Sequence, residues 1–196
     1  MEGALLSKKL RVGIIGVGGI ARGAHIPGYQ SVADKVEFVA CADVNADRAR
    51  EVAQEFGFSA SYGDYKEMLA KEKLDVVSVC TPNKFHAPAT IAALEAGCHV
   101  LCEKPPALSV AEARAMVEAA ERSGRILTFG LMTRYSPEVR AAKRRIDGGE
   151  LGKIYFARVD AIRRRGIPGW GVFTNKELQG GGPVIDIGVH MLDTAL

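Results

Sequence analysis

The stretch Leu10-Arg11-Val12-Gly13-Ile14-Ile15-Gly16-Val17-Gly18-Gly19-Ile20-Ala21 decides the fold of this chain. Its first half is a short apolar run of strand character, and its second half is a glycine-rich turn that opens a helix. Gly16 permits the tight turn, Gly18 lets a pyrophosphate approach the backbone, and Ala21 keeps the helix close to the sheet, as in the GxGxxA form of the dinucleotide fingerprint. Gly19 and Ile20 complete the turn as candidate cofactor contacts. Standing alone, the same turn is also a plain strand-to-helix connection with no ligand, so residues further along must decide.

Working outward, β-rich runs at 10–16, 37–42, 74–80, 99–102 and 126–130 alternate with helix-period segments, with a short extra strand near 59–61. That alternation predicts a Rossmann-type α/β fold, a doubly wound parallel sheet with helices on both faces. Asn45 is placed to cap a helix whose Ala49, Val52, Ala53 and Phe56 share one face, and Gly57 to end it. Ser109 and Glu112 form a capping box ahead of Val110, Ala113, Val117 and Ala120, with Gly124 as the stop.

After Gly130 the pattern changes. A basic amphipathic helix at 137–147 ends at Gly148-Gly149, an alternating strand is expected at 153–163, and Gly180-Gly181-Gly182-Pro183 follows a Gly/Pro-rich loop and opens a last helix. The expected organisation is a dinucleotide-binding domain at 1–131 and the beginning of an α+β substrate and oligomerisation domain at 132–196, with an open, mainly antiparallel sheet. Because a lone strand cannot form a stable sheet and the chain stops inside a helical pattern, the second domain is expected to be incomplete here.

The 196 residues carry 26 basic and 23 acidic side chains, a formal charge of +3, too near balance to point to nucleic acid or a membrane surface. The local run of basic residues from Arg134 to Arg165 reads as a solvated helix face, since no aromatic platform accompanies it. Cys41, Cys80, Cys98 and Cys102 lie in or beside apolar runs without CxxC spacing, so they read as buried thiols in a reducing compartment. No secretory or membrane-spanning run is present, so a cytoplasmic protein with a small-molecule partner is expected, and no metal site is read.

Asp43 ends the second strand, where a carboxylate accepts hydrogen bonds from the adenosine ribose and repels a 2′-phosphate. NAD is therefore expected in preference to NADP, although Arg48 is close enough in sequence to weaken the repulsion. A glycine turn and a strand-end acid also occur in some S-adenosylmethionine enzymes, and Asp43 could simply cap the next helix. Further strands run into Thr81-Pro82-Asn83, with His86 just beyond, and into Glu103-Lys104-Pro105-Pro106. The second of these puts an ammonium at the carboxyl edge of the sheet, where ligands bind in such folds.

The segments TPNKFHAP (81–88), AGCHVLCEKP (96–105) and GGGPVIDIGVHMLD (180–193) together resemble three successive motifs of the Gfo/Idh/MocA oxidoreductases, in that family's order. The resemblance implies a Rossmann domain followed by an open-sheet domain, with NAD or NADP between them. It also implies that Thr81, Pro82, Asn83, His86 and Arg134 line the cofactor, that Glu103 and Lys104 sit near the nicotinamide, and that Asp186 and His190 face substrate. Asp186 and His190 are four apart on an expected helix and so point from one face. Singly, Lys104 could be a surface charge, His190 a satisfied helix histidine and Asp186 a helix-end carboxylate.

The expected activity is hydride transfer between a secondary alcohol of a sugar, polyol or derivative and NAD, with Lys104, Asp186 and His190 catalytic and a homo-oligomer when complete. An NAD-dependent glycosidase of the same family and a non-catalytic dinucleotide-binding regulator are the alternatives. His25 is expected to pack or face solvent, His99 to be structural, and Trp170 either to wall a sugar pocket or to pack.

Overall fold

The computed structural model describes residues 8–162, 169 and 171–196. Contacts divide the chain into two units, Met1–Phe129 and Gly130–Leu196.

In the first unit, β1 (Leu10–Ile15), β2 (Val36–Ala42), β3 (Ala60–Tyr62), β4 (Val76–Val79), β5 (His99–Cys102) and β6 (Leu127–Phe129) form one sheet in the order β3-β2-β1-β4-β5-β6. Every pairing is parallel. This is the Rossmann order, and it reverses between β1 and β4, where the carboxyl ends of the strands open a crevice. Both faces of the sheet are covered, which is why its strands are apolar at successive positions. Val12, Ile14 and Cys41 point into one core with Val52 and Ala53 of α2 (Ala46–Phe56). Ile15, Val77, Val79 and Val100 point into the other, against Ala93 and Leu94 of α4 (His86–Glu95) and Met116 of α5 (Val110–Ser123). Neighbouring Ile14 and Ile15 thus serve opposite cores, as the period of two requires. All four cysteines are reduced and buried.

The helix boundaries follow their local chemistry. Asn45 Oδ1 accepts the Arg48 N–H at 3.0 Å, and Gly57 closes α2 at φ 78°. Ser109 Oγ accepts the Glu112 N–H at 3.2 Å, while Glu112 Oε2 reaches back to the N–H of Leu108 at 2.9 Å, one residue earlier than the usual capping box. Behind the glycine turn the helix begins with a π turn, Ala21–His25, before α1 (Ile26–Gln30). The widening has a local cause: Pro27 has no N–H to give to the preceding turn and its ring crowds the carbonyl four residues back. The Ile26 N–H accordingly donates to Ala21, five residues back.

The second unit contains α6 (Pro137–Asp147), capped by Ser136 Oγ on the Val139 N–H at 3.3 Å, then α7 (Lys176–Gln179), a π turn at Val184–Gly188 and α8 (Val189–Ala195). The strand expected at 153–163 does not form over 153–162, and residue 163 lies outside the described residues. Ile154, Phe156 and Ile162 are exposed there. Alternation supplies one apolar face, but a ladder needs a partner strand, and none is present among the described residues of this unit. The expected antiparallel sheet is not seen among the described residues of the second unit, whose regular structure there is helical. Gly180 closes α7 at φ 78°, and the last helical run begins at Pro183, at the end of the same tract. Trp170 lies outside the described residues.

Candidate functional site

The turn after β1 crosses the end of β4 at contact distance. Gly16 has φ 84°, and a Cβ on it would lie 2.8 Å from the carbonyl carbon and oxygen of Cys80 and 2.9 Å from the Thr81 nitrogen. These are backbone atoms held by the ladder, the Cys80 N–H donating to Ile15 at 2.7 Å. Glycine alone satisfies both the dihedral and the approach. At Gly18 and Gly19 the geometry is opposite, because a Cβ at either would meet nothing within 4 Å. The turn therefore offers an open backbone face, with Ile20 partly exposed beside it.

Asp43 stands at the end of β2 and is 9% exposed. Its Oδ2 accepts the Val17 N–H at 3.1 Å and its Oδ1 accepts the Asn45 N–H at 2.9 Å, so one carboxylate braces the turns after two neighbouring strands. Arg48 Nη1 lies 3.6 Å from Oδ2. The ion pair that sequence position left open is thus formed, and it reduces the negative charge facing solvent.

Beyond β4, Thr81, Pro82 and Asn83 are half-buried. The Thr81 hydroxyl is buried and has no hydrogen-bond partner among the described residues. A buried hydroxyl left unmatched is costly, and a ligand at this crevice would satisfy it. His86, at the start of α4, is fully buried. Its Nδ1 lies 2.7 Å from the Pro105 carbonyl and its Nε2 2.9 Å from the Thr81 carbonyl. Both partners are acceptors, so only a doubly protonated ring donates to both. Burial opposes that charge and pushes the pKa below 6.5 despite the two carbonyls and nearby Glu103, and the Lys104 charge adds to the lowering. Both ring nitrogens are held by these carbonyls. His86 joins the segment after β4 to the segment after β5.

β5 runs into Glu103, whose N–H still donates to Val79 at 2.9 Å. Lys104 follows at the same carboxyl edge and is half-buried. Glu103 Oε2 accepts the Lys104 N–H at 3.1 Å, and Oε1 lies 2.9 Å from His25 Nε2. Burial alone would raise the Glu103 pKa, but the bonds and charges of His25 and Lys104 outweigh it and the carboxyl sits below its ordinary value. His25 packs inward as one branch of the expectation had it, 8% exposed, yet its partnership with Glu103 was not foreseen. Two signals bore on its inward packing alone: His25 lies four residues after the buried Ala21, and Ser78, which it contacts, is a polar residue in an otherwise apolar strand. His99 Nδ1 accepts the Ile126 N–H at 3.0 Å, a structural bond at the sheet's other end.

In the second unit, Arg134 lies in the 3-10 turn Met132–Tyr135 and makes a two-pronged ion pair with Asp193, its Nε donating to Oδ2 at 2.9 Å. Hydrogen bonding to Asp193 raises the arginine's pKa further. Asp186 lies in the π turn and His190 in the first turn of α8, both half-buried. The Thr194 hydroxyl donates to the His190 carbonyl at 2.7 Å.

The first unit is a dinucleotide-binding Rossmann domain, and its residues fit that ligand: an open glycine face, an unmatched threonine hydroxyl at the strand-order reversal and a strand-end carboxylate. Residues 10–131 match the family described as "Oxidoreductase family, NAD-binding Rossmann fold", and residues 139–196 match its C-terminal domain; the chain belongs to the Gfo/Idh/MocA oxidoreductases. It is 46% identical over its whole length to D-glucoside 3-dehydrogenase of Escherichia coli K12, covering 56% of that protein. It is 32% identical to levoglucosan dehydrogenase of Pseudarthrobacter phenanthrenivorans, over 96% of this chain and 50% of the relative. A solved structure of levoglucosan dehydrogenase in complex with NADH matches 96% of this chain and 53% of its own, with TM-score 0.83 and 29% identity. The chain therefore spans about half the length of these relatives. Among the described residues, no helix is long and apolar enough to cross a membrane.

Proposed function

We propose that the protein is an NAD(H)-dependent dehydrogenase of a secondary alcohol in a sugar, polyol or derivative. The observation that supports this best is the gathering of Gly16, Asp43, Thr81 and Lys104 after four neighbouring strands at one carboxyl edge of a sheet with Rossmann order. The sugar dehydrogenases among its relatives supply the substrate class.

In this reading Gly16, Gly18, Gly19 and Ile20 receive the pyrophosphate, Asp43 the adenosine ribose, and Thr81, Pro82 and Asn83 the inner part of the dinucleotide. Glu103 and Lys104 stand by the nicotinamide end, and Arg134 completes the cofactor set. Bound NAD would supply a hydride acceptor for the alcohol carbon. The protein's task is to take the hydroxyl proton, which an imidazole suits because the free group's pKa is near neutral, and the role is assigned to His190. Lys104 donates a hydrogen bond to the same oxygen and stabilises its developing negative charge, while Asp186 orients substrate or His190. We assign the protein to the cytoplasm and to a homo-oligomer.

The test uses the product of the whole reading frame, NAD and a panel of sugars and polyols, with NADH absorbance as the readout. Lys104→Ala and His190→Ala should each lower kcat by roughly 100- to 10,000-fold with NAD affinity nearly unchanged. Near-normal turnover in both variants would overturn the catalytic assignment. Release of a leaving group without net NADH would replace the dehydrogenase by a glycosidase.

A further inference from the structure

Behind the glycine turn lies a buried polar chain that the proposed chemistry does not use. His25 Nδ1 is 3.1 Å from Ser78 Oγ, Ser78 Oγ is 3.0 Å from the Tyr29 hydroxyl, and His25 Nε2 is 2.9 Å from Glu103 Oε1. The side chains of His25 and Glu103 are only 6% and 13% exposed, and Ser78 is fully buried. Serine, histidine and acid in a row resemble a nucleophile triad, but a serine sealed inside β4 reaches no substrate. A proton on His25 Nε2 is donated to the Glu103 carboxylate, and the two hydroxyls continue the chain on the Nδ1 side. The Tyr29 and Ser78 hydroxyls can each donate or accept, so the chain is satisfied from Tyr29 through Ser78 and His25 to the carboxylate.

The two ends of the chain belong to different functional segments. His25 closes the π turn that directly continues the glycine-rich turn, and single π turns inside helices recur at functional sites. Glu103 precedes Lys104 and holds its backbone N–H. We infer that His25 is a positioning residue: through Glu103 it fixes the backbone of Lys104 to the dinucleotide-binding turn, so that the cofactor segment and the lysine loop move as one body. Second-layer partners of this kind act by locking the orientation of the groups that touch ligand. The inference rests on the assignment of Lys104 to catalysis.

The groups facing Glu103 are Lys104 from its own loop, His25 from the π turn, Cys80 from the end of β4, Cys102 from β5 and His86 from α4. His25 supplies the side-chain hydrogen bond that helps to hold the carboxyl below its ordinary value. Removing the ring leaves burial as the leading influence, and the carboxyl should then titrate at higher pH.

The experiment compares the parent protein with His25→Ala and His25→Gln, the second keeping an N–H donor near the Nε2 position. Glutamate carboxyl carbons are followed by 13C NMR across pH, with Glu103→Gln identifying the resonance, first without and then with saturating NAD. His25→Ala should raise the midpoint of the Glu103 titration and abolish the response of that resonance to NAD. It should lower kcat about 10- to 100-fold. His25→Gln should restore most of all three. An unmoved Glu103 titration in His25→Ala, or an NAD response equal to the parent's, overturns the inference, as does a glutamine variant no better than alanine. If Lys104→Ala alone proves harmless, the catalytic assignment fails instead, and the NMR readouts still decide whether His25 ties the two segments.

Discussion

Replacing Gly16 and Gly18 separately by alanine should split folding from cofactor binding. At Gly16 the left-handed dihedral costs a non-glycine residue roughly 1–2 kcal/mol. The new methyl also meets Cys80 and Thr81 backbone atoms at 2.8–2.9 Å, which cannot yield without shifting the end of β4. Overpacking of that kind adds roughly 1–3 kcal/mol, for a total of about 2–5 kcal/mol. With a urea slope near 2 kcal/mol per molar, the unfolding midpoint should fall by about 1–2.5 M. Gly18→Ala introduces no contact and no dihedral strain, so stability should be unchanged or higher by up to about 1 kcal/mol, since alanine restricts the unfolded chain. Its methyl nonetheless stands on the open face assigned to the pyrophosphate, and NAD affinity should drop by about tenfold or more, near 1.4 kcal/mol. Urea unfolding followed by circular dichroism, with NAD titration by calorimetry, measures both. A Gly16→Ala midpoint within about 0.5 M of the parent refutes the steric reasoning. A Gly18→Ala protein that binds NAD normally refutes the placement of the pyrophosphate.

Asp43→Asn should reduce the preference for NAD over NADP by about tenfold, because the charge opposing a 2′-phosphate is removed. It should also cost about 1–3 kcal/mol of stability, since one of the Val17 and Asn45 N–H groups loses its oxygen acceptor; titrations with both cofactors and urea unfolding check the two effects. For His86 the folded pKa lies below 6.5, so the unfolded chain takes up the proton first as pH falls. Its contribution is full above about pH 6.5 and is lost as pH falls through the lowered folded value. Urea midpoints from pH 8 to 5 should decline less in His86→Gln than in the parent, and equal slopes would refute this linkage.

The sheet was legible because each strand is an apolar run bounded by glycine, proline or a strand-end acid, and because Asn45, Gly57, Ser109 and Gly124 mark helix ends by local chemistry alone. Residues 153–162 misled for the complementary reason: alternation describes one face of a strand, whereas a sheet requires a neighbour that the pattern cannot reveal. Candidate residues after the strands were readable because parallel topology sends every such residue to one edge. The partnership of His25 with Glu103 was not, since the two are 78 positions apart and neither advertises the other. His86 shows the same limit: its motif marked it as important, but only the fold reveals the two carbonyls its ring bonds.

The bracing role of Asp43, beside the ribose contact proposed for it, bears on how cofactor preference can change over evolutionary time. In a site where the ribose-binding acid merely projects into solvent, one substitution can remove it and leave the scaffold intact. Here the same carboxylate knots together the turns after β1 and β2, so losing it loosens the surface on which any dinucleotide must settle. The accessible route runs beside it. Val44 is 99% exposed and Arg48 already reaches the carboxylate from α2, so a basic residue at position 44 could join that arginine while the knot stays tied.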